Sequence, residues 1–425
     1  MAQKAIREAQ GKKMLASLLK EYSGGKYAVE NNVISVGPET DLDSLPKEHP
    51  WLSSTRVVVK PDQLIKRRGK NGFILLDAPW DEARRWISER MKTEITVDDV
   101  TGILDHFIVE PFILHNEEEE YYVAITSVRE GDNILFYHQG GVDVGAVDEK
   151  AEKLLVPVGS YPSAGDIEQK LLGSLKVEDR NIVAGFIEGL FKLYADCHFT
   201  FLEINPFVVV DGRVHILDLA ARLDSAAGFL CKTKWGGIEF PSPFGRVLTK
   251  DEAYVEELDS KTGSSLKLTI LNPKGRVWTM VAGGGASVIY ADTITDLGYM
   301  DEMANYGEYS GDPNEEFTYK YARTILDCMT REKDPRGKFL LIGGAIANFT
   351  DVASTFKGII RALKEYQQQL IDNKVKIFVR RGGPNYKEGL RQMKELGQSL
   401  GVPIEVYGPE THMTKIVKLA LKESN

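Results

Sequence analysis

The second half of the sequence repeats one local pattern, in which a short apolar strand is followed by a glycine-rich turn and a helical period. The predicted strands are Val277 to Ala282, Phe339 to Ile342, Lys376 to Val379 and Ile404 to Tyr407. Apolar strands that alternate with helices are typical of a parallel sheet covered on both faces, so this half is predicted to form an α/β domain. Because ligands bind at the carboxyl ends of such strands, any chemistry is expected in the turns.

The turns themselves carry groups suited to anions. They read GGGAS, GGAIANFTD, RRGGPNY and GPETHMT. Asn348 and Thr350 lie where a helix is predicted to begin, and the unpaired N–H groups and dipole of a helix favour an anion there. Arg381 follows the next strand, and its planar guanidinium suits a carboxylate. Gly311 would let a ligand approach the backbone closely. Ordinary helix capping by Asn348 and Thr350 and a structural ion pair of Arg381 would also explain the pattern.

A change of composition near residue 247 divides the chain. The run WGGIEFPSPFGR, from Trp235 to Arg246, contains three glycines and two prolines and has no helical or alternating period. We therefore predict one domain over residues 1–247 and a second over residues 248–425. A chain of 425 residues is long enough for two or three compact units with cores of their own.

The first half is predicted to mix helices with antiparallel strands. Short strands are expected at Thr55 to Lys60 and at Phe107 to Phe112, and a helix is expected around residues 182–194, where apolar side chains recur every four residues. Asp211-Gly212 is a hairpin signal that would join a strand from Thr200 to Val210 to one from Val214 to Ala220.

Basic side chains near the N-terminus stand out in an acidic chain. The sequence has 53 Lys and Arg against 62 Asp and Glu, a net charge of −9, whereas residues 1–70 hold 13 basic and 8 acidic side chains. The acidic total argues against a general nucleic-acid or membrane-surface binder. The basic excess peaks at residues 66–70 (KRRGK), where Lys60, Arg68 and Gly69 would bind phosphate oxygens through cations and backbone N–H groups. No GxxxxGK[ST] motif occurs, and a solvated basic turn would have the same composition.

Two further motifs suit a nucleotide and its metal. The segment LEINPFVVVDGRVHILD places Asn205 at the start of one strand and Asp218 at the end of the next, and Mg²⁺ prefers one or two such protein oxygens together with phosphates. A capped Asn-Pro turn is the alternative. The strand that contains Glu110 and the acidic run Glu117 to Glu120 would present backbone groups to a purine and a carboxylate to a ribose, although four consecutive glutamates are also typical of a solvated loop.

The cysteines and histidines exclude several kinds of site. Cys197, Cys231 and Cys328 form no CxxC or Cys/His metal pattern, which favours a reducing cytoplasm. No HExxH pair and no GxSxG motif occurs, so any covalent catalysis is expected on another chain. The N-terminal segment has no apolar signal region, and the longest uncharged stretch is too short to span a bilayer. We therefore expect a soluble cytoplasmic protein.

Eight segments together resemble the ATP-citrate lyase family. They read VVVKPDQLIKRRGKNG, FIVEPFI, LEINPFVVVDG, KWGGIEFPSPFGR, NPKGRVWTMVAGGGASVIYADT, NYGEYSG, GGAIANFTDVASTFKGIIRAL and VRRGGPNYKEGL. The likeness is to the N-terminal portion of the single-chain animal enzyme and to the separate A subunit of two-chain forms, and more distantly to the β subunit of succinyl-CoA synthetase. It implies an ATP-grasp fold with two subdomains that divide near residue 111, followed by a flavodoxin-like parallel α/β domain.

The resemblance also implies a reaction and its residues. In this family ATP phosphorylates a histidine, citrate takes the phosphoryl group, CoA gives citryl-CoA, and cleavage yields acetyl-CoA and oxaloacetate. Carried over position by position, the resemblance implies phosphate binding by Lys60, Arg68 and Gly69, adenine contacts by Pro111 and Ile113, a ribose contact by Glu120, Mg²⁺ binding by Asn205 and Asp218, citrate binding by Gly311, Asn348, Thr350, Tyr366 and Arg381, and a further cation at Asp259, Thr262 and Ser264.

The family further implies a partner. Its phosphorylated histidine, CoA-binding domain and lyase module lie C-terminal to the part represented here, so we expect no catalytic residue in this chain and no activity without a CoA-binding partner subunit. One alternative is the large subunit of citryl-CoA synthetase, which stops at citryl-CoA. A non-catalytic citrate or nucleotide sensor and a nucleic-acid binder that uses the KRRGK cluster are further alternatives.

Overall fold

The computed structural model describes residues 3–27, 29, 32–65, 68–141 and 147–422, so Lys66 and Arg67 of the basic cluster lie outside the described residues. The contacts divide the chain into two compact units, Met1–Arg246 and Val247–Asn425. In the described part of the chain, no helix combines the length and the apolar character needed to cross a membrane.

The first unit is built on antiparallel sheets with helices packed against them. Its strands are β1 (Gln3–Ile6), β2 (Ile34–Val36), β3 (Val57–Pro61), β4 (Leu75–Ala78), β5 (Glu94–Val97), β6 (Val100–Ile103), β7 (Phe107–Pro111), β8 (Tyr121–Val128), β9 (Gly131–Tyr137), β10 (Glu152–Pro157), β11 (Phe199–Val210), β12 (Arg213–Ile216) and β13 (Leu219–Asp224). Its helices are α1 (Glu8–Tyr22), α2 (Leu45–Glu48), α3 (Trp80–Arg90), α4 (Val147–Lys150), α5 (Ala164–Leu171), α6 (Val177–Asp196) and α7 (Lys232–Trp235).

Two sheets of this unit position the candidate site. The larger has the order β1-β13-β11-β8-β9-β10, with β12 also paired to β11, and the smaller has the order β2-β7-β3-β4. The predicted helix is confirmed as α6, whose buried side chains pack with those of α1 against the larger sheet. The predicted hairpin turn is also confirmed, since Asp211 and Gly212 have φ values of 51° and 69°, the left-handed conformation that a type I′ turn requires.

The second strand of that hairpin is interrupted, so the prediction of one strand from Val214 to Ala220 is wrong. β12 ends at Ile216 and β13 begins at Leu219. Between them, the N–H groups of Leu217 and Asp218 both donate to the Pro206 carbonyl, at 3.0 and 3.3 Å, and the chain leaves the regular ladder. The interruption leaves the Leu217 carbonyl and the Asp218 carboxylate outside the sheet, where side chains can reach them.

The second unit contains a parallel sheet with helices. Its strands are β14 (Ser265–Ile270), β15 (Val277–Ala282), β16 (Asn305–Ser310), β17 (Phe339–Gly344), β18 (Lys376–Arg380) and β19 (Ile404–Tyr407). Its helices are α8 (Lys250–Ser260), α9 (Gly284–Asp296), α10 (Glu315–Thr330), α11 (Val352–Glu365), α12 (Gln367–Asp372), α13 (Tyr386–Ser399) and α14 (Lys415–Lys422). The order β15-β17-β18-β19, parallel throughout, confirms the four strands predicted from the sequence.

The sequence pattern missed the antiparallel pair of β14 and β16. β16 lies beside β15, because Met303 bridges to Val277 and the side-chain amide of Asn305 exchanges hydrogen bonds of 2.8 and 2.9 Å with the backbone of Thr279. When the strands are numbered along the chain from β15, the order β16-β15-β17-β18-β19 reads 2-1-3-4-5, which is the flavodoxin-like order, and β14 pairs with β16. The order reverses between β15 and β17, so ligands are expected at the carboxyl ends of these two strands.

Candidate functional site

In the first unit, Lys60 and Arg68 are held in ion pairs. Lys60, near the end of β3, is 3% exposed, and its Nζ lies 2.7 Å from Glu8 Oε1, 2.9 Å from Glu110 Oε1 and 2.5 Å from the Leu217 carbonyl. Arg68 Nη2 lies 2.7 Å from Glu8 Oε2 and 2.6 Å from Asp218 Oδ1. The two cations that the sequence predicted for phosphate binding thus share a carboxylate and lie close together.

Burial and ion pairing act on these groups in opposite directions. Burial alone would raise the pKa of Glu8, but Lys12, Lys60 and Arg68 hold that pKa well below its usual value. Burial alone would lower the pKa of Lys60 and of Arg68, yet the neighbouring carboxylates, first of all Glu110 for Lys60 and Asp218 for Arg68, raise both. These side chains are therefore charged at neutral pH.

Asn205 and Glu120 lie next to Asp218 and its ion-pair partners. Asn205 contacts Asp218 through the backbone, and Gly141 lies between Asn205 and Glu120. The Asn205 N–H donates to the Asp218 carbonyl at 3.2 Å, and Asn205 Oδ1 accepts from the Gly141 N–H at 2.7 Å. A Cβ on Gly141 would lie 2.3 Å from Glu120 Oε2, so a larger residue there would displace the carboxylate. The other oxygen of Glu120 lies 3.1 Å from His115 Nε2. The predicted metal and ribose residues are therefore contiguous.

Pro111 and Ile113 line a small cleft that is open to solvent. Its lining also includes Lys12, Glu110 and His215, so the cleft joins apolar wall residues to Glu110, which pairs with both Lys12 and Lys60. Apolar walls beside a few polar groups are typical of small-ligand sites. The structure thus places the predicted adenine contacts next to the predicted phosphate contacts.

Gly69 belongs to a turn that closes beside Arg68. The Gly72 N–H donates to the Gly69 carbonyl at 3.1 Å, and the Phe73 N–H donates to the Arg68 carbonyl at 3.0 Å. The turn therefore holds the backbone of Gly69 next to a cation of the site.

Sequence reasoning missed two residues of the site, Glu8 and Lys12. Both lie on α1 and are buried, and Lys12 Nζ lies 2.8 Å from Glu8 Oε1 and 2.6 Å from Glu110 Oε2. A signal existed, because residues 8, 12, 15 and 19 share one face of a helix, and two of them are charged while Leu15 and Leu19 are core residues. We call the following six residues the charge cluster: Glu8, Lys12, Lys60, Arg68, Glu110 and Asp218.

In the second unit, Arg381 follows β18 and turns back over the end of β17. Its Nη1 donates to the Ala345 carbonyl at 2.7 Å, and a Cβ on Gly344 would lie 2.9 Å from the same nitrogen. Burial raises the pKa of Tyr309 on β16, and the positive charge of the Arg381 guanidinium opposes this rise. Arg381 is 3% exposed, and its Nε has no hydrogen-bond partner among the described residues. A buried donor without a partner marks capacity for a further acceptor.

The turn that carries Asn348 lies beside Arg381, since the Ala347 N–H donates to the Gly382 carbonyl at 2.9 Å. The alternative that Asn348 and Thr350 cap the helix is wrong. Asp351 is the capping residue of α11, and its carboxylate accepts from the Ser354 N–H at 2.9 Å.

Gly311 adjoins the same turn. It follows β16 with a φ of 74°, a conformation that favours glycine, and its carbonyl accepts from Ser264 Oγ at 3.0 Å. The next residue, Asp312, accepts a hydrogen bond from the Asp351 N–H at 3.2 Å. The turns after β16, β17 and β18 therefore meet at the point where the strand order reverses.

The structure separates Tyr366 from this group. Tyr366 follows the last residue of α11, a helix of 14 residues, whereas Thr350 precedes the first. At 1.5 Å per residue they lie about 20 Å apart along the helix. The Tyr366 hydroxyl donates to Asp327 Oδ1 at 3.2 Å, and the ring is part of the core. The geometry therefore gives Tyr366 a packing role and does not bring it to Arg381.

The predicted cation residues Asp259, Thr262 and Ser264 lie together in the connection between α8 and β14, but they leave no free carboxylate. Asp259 Oδ1 accepts from the Leu266 N–H at 2.8 Å, and Oδ2 pairs with Lys267. The Ser264 N–H donates to Thr262 Oγ1 at 3.2 Å. Among the residues that the structure describes, no group of three or more His, Cys, Asp or Glu side chains could hold a metal ion.

Two family models match the chain. A model described as the ATP-citrate synthase ATP-grasp domain matches residues 2–235, and a model described as ATP citrate lyase citrate-binding matches residues 246–423.

Relatives and solved structures agree with these models. The chain is 56% identical to the ATP-citrate synthase of Bos taurus over 99% of its own length, but it spans 38% of that protein. It is 47% identical to ATP-citrate synthase alpha chain protein 2 of Arabidopsis thaliana, over 99% of both chains. The solved structure of ATP citrate lyase from Methanothrix soehngenii, in complex with citrate and coenzyme A, superposes with a TM-score of 0.91 at 55% identity over 99% of this chain and all of that one. The chain therefore belongs to the ATP-citrate synthase family.

Proposed function

We propose that this chain is the ATP- and citrate-binding subunit of an ATP-citrate synthase. With a partner subunit it would convert citrate, ATP and CoA to acetyl-CoA, oxaloacetate, ADP and phosphate through phosphohistidine, citryl phosphate and citryl-CoA. The full-length match to a plant alpha chain supports the assignment to a subunit. The chain spans 38% of the bovine protein, and the proposal takes the phosphorylated histidine and the CoA site to be supplied by the partner subunit.

The charge cluster is the observation that carries the ATP assignment. Lys60 and Arg68 share Glu8 at 2.7 Å each, and the cleft lined by Pro111 and Ile113 reaches Glu110, which also pairs with Lys60. An adenine in the cleft would place its phosphates toward two cations whose charge is secured by their surroundings. The same arrangement would hold the triphosphate in one orientation for transfer of the terminal phosphoryl group.

Asn205 and Asp218 fit the needs of Mg²⁺ at the phosphates. Asp218 Oδ1 pairs with Arg68, and 37% of the Asp218 side chain is exposed, so the second carboxylate oxygen is accessible to a cation. Mg²⁺ bound to a nucleotide keeps several waters and takes one or two protein oxygens, which this pair supplies. When bound, the ion would neutralise charge that develops on the phosphates during transfer.

Citrate is assigned to the turns that meet at the reversal point of the second unit. Arg381 offers a buried guanidinium beside Tyr309, and Gly311, Asn348 and Thr350 lie in the two neighbouring turns. These donors would hold several carboxylates together and offset their repulsion while a phosphoryl group approaches. We also propose a cytoplasmic location, which suits the three free cysteine thiols.

Titration calorimetry on the full chain tests this proposal. We expect one site for ATP that requires Mg²⁺ and one for citrate, with neither ligand displacing the other. ATP binding without citrate binding would overturn the citrate part of the proposal and indicate a nucleotide-binding protein with another second substrate. Failure to bind ATP in the presence of Mg²⁺ would overturn the whole proposal.

A further inference from the structure

The charge cluster contains an ion pair whose role the nucleotide assignment does not explain. Glu8 and Lys12 lie one turn apart at the start of α1 and are 4% and 2% exposed. Glu8 contacts all three cations of the charge cluster, at 2.8 Å for Lys12, 2.7 Å for Lys60 and 2.7 Å for Arg68. Burying two charged side chains costs desolvation energy that their attraction often does not recover, so a gain in stability alone does not explain this pair.

Lys12 bridges the carboxylates that face Lys60. Its Nζ lies 2.8 Å from Glu8 Oε1, 2.6 Å from Glu110 Oε2 and 2.9 Å from the Leu217 carbonyl. Lys60 contacts the same three groups, so the two ammonium groups share one set of acceptors. Lys12 also lines the cleft with Pro111 and Ile113, which places it between the adenine side and the phosphate side of the site.

The cluster is balanced in charge. Lys12, Lys60 and Arg68 supply three positive charges, and Glu8, Glu110 and Asp218 supply three negative ones. Without Lys12, two cations would face three carboxylates, and the net negative charge would repel phosphates that approach Lys60 and Arg68. For two unit charges roughly 10 Å apart in an effective dielectric constant of about 20, removing one charge changes the affinity for the other by about tenfold.

A second set of contacts fastens α1 to the strand that carries Lys60. The carboxylate of Asp62, just after β3, accepts from the N–H groups of Glu8 and Ala9, at 2.7 and 3.1 Å, and so closes the first turn of α1. Arg7 donates to the carbonyl of the same residue. The start of α1 and the end of β3 are thereby held together, which keeps Glu8 and Lys12 against Lys60.

We infer that Lys12, together with Glu8, is a positioning residue for the nucleotide. Glu8 holds Lys60 and Arg68 close together, and Lys12 neutralises Glu8 and Glu110 so that the charge around the two cations does not repel the phosphates. The inference rests on the proposed function, because it takes the ligand of Lys60 and Arg68 to be a nucleoside triphosphate. It assigns the N-terminal helix, which none of the nucleotide motifs includes, to the binding site.

Charge and shape at position 12 can be separated in the full chain. Lys12→Met removes the charge, and Lys12→Gln removes the charge but keeps a donor for Glu110 and the Leu217 carbonyl. We expect both to weaken binding of Mg-ATP by about tenfold or more in calorimetry and to leave citrate affinity unchanged. Lys12→Arg, which keeps the charge, should retain ATP affinity within about threefold of the unchanged chain. Lys13→Met is the matched control, because Lys13 is exposed and pairs with Ser35.

The outcomes distinguish this inference from the proposed function. ATP affinity that stays unchanged in a folded Lys12→Gln chain would overturn the inference, and so would equal losses in Lys12→Arg and Lys12→Gln. If the Lys12→Met chain does not fold, the ATP affinities of Lys12→Gln and Lys12→Arg still test the inference. Failure of the unchanged chain to bind ATP would instead contradict the proposed function.

Discussion

Arg68 Nη2 lies 2.6 Å from Asp218 Oδ1, and this ion pair joins the basic segment after β3 to the interruption between β12 and β13. The two residues are 150 positions apart in the sequence. The pair brings a cation that we propose to bind phosphate beside a carboxylate that is partly open to solvent. The nucleotide and its metal ion would therefore be bound by side chains that already contact one another.

Asp218→Asn tests the metal side of this pair. The variant removes one negative charge from the proposed Mg²⁺ site, and we expect the affinity for Mg-ATP to fall by about 10- to 100-fold, the usual range for loss of a charge-assisted contact. Citrate affinity should not change. Asp211→Asn is the control, since Asp211 lies in the exposed hairpin turn and asparagine also tolerates its φ of 51°. The measurement is calorimetric titration of both ligands, and an unchanged ATP affinity would contradict the assignment of Asp218.

Arg381→Ala tests the proposed citrate site. Loss of the guanidinium should weaken citrate binding by about 10- to 100-fold, because the charged donor at the reversal point is removed, and should leave ATP binding as it was. Arg391→Ala provides the control, because Arg391 is exposed on α13 and pairs with Glu388 and Glu395. Equal losses of citrate and ATP binding in Arg381→Ala would show that the residue supports the fold and does not contact citrate.

Tyr366→Phe should have no effect on citrate affinity, although family resemblance assigns the residue to citrate. The variant removes the hydrogen bond of 3.2 Å to Asp327, and we expect it to lower the free energy of unfolding by about 1 kcal/mol. Citrate titration together with thermal unfolding checks both parts. A large loss of citrate affinity without a loss of stability would mean that the residue reaches the ligand in a way that this geometry does not provide.

Acid should weaken the contribution of Glu8 to stability. Three cations hold the pKa of Glu8 well below 4.5, its usual value, although burial opposes them. The stabilisation by its ion pairs is therefore complete above about pH 4.5 and is lost as the pH falls toward the folded-state pKa. Glu8→Gln should destabilise the first unit by roughly 3–5 kcal/mol at pH 7, and the difference should shrink as the pH falls below 4.5.

Thermal unfolding of both chains at pH 7 and at several values below 4.5 measures this difference. Glu21→Gln, on an exposed part of the same helix, is the matched control. A difference between Glu8→Gln and the unchanged chain that is constant over this range would contradict the assigned direction of the pKa shift.

Periodicity was sufficient to predict the parallel strands of the second unit. β15 and β17 are uniformly buried, β18 has an apolar centre, and each of the four strands is followed by a turn that contains glycine, so the local pattern agrees with the position of each strand in the sheet. β16 was missed because its sequence, NYGEYS, has no apolar run and contains a glycine, and because the hydrogen bonds of the Asn305 side chain to β15 cannot be read from the sequence.

The candidate site was predictable where a motif carried the chemistry. Lys60, Arg68 and Asp218 stand in recognisable segments, and the structure brings them together. Glu8 and Lys12 were missed because ionised side chains are expected on the solvent face of a helix, although Leu15 and Leu19 on the same face indicate burial. The interruption at Leu217 was also invisible locally, because it depends on hydrogen bonds to the distant Pro206 carbonyl.

Reconstitution tests the central claim most directly. The chain is mixed with the CoA-binding subunit of its own source, Mg-ATP, citrate and CoA, and oxaloacetate is followed by coupled oxidation of NADH with malate dehydrogenase. The account predicts oxaloacetate release that requires both subunits and all substrates. Accumulation of citryl-CoA without oxaloacetate would identify a citryl-CoA synthetase instead, and consumption of ATP that does not depend on citrate would contradict the account.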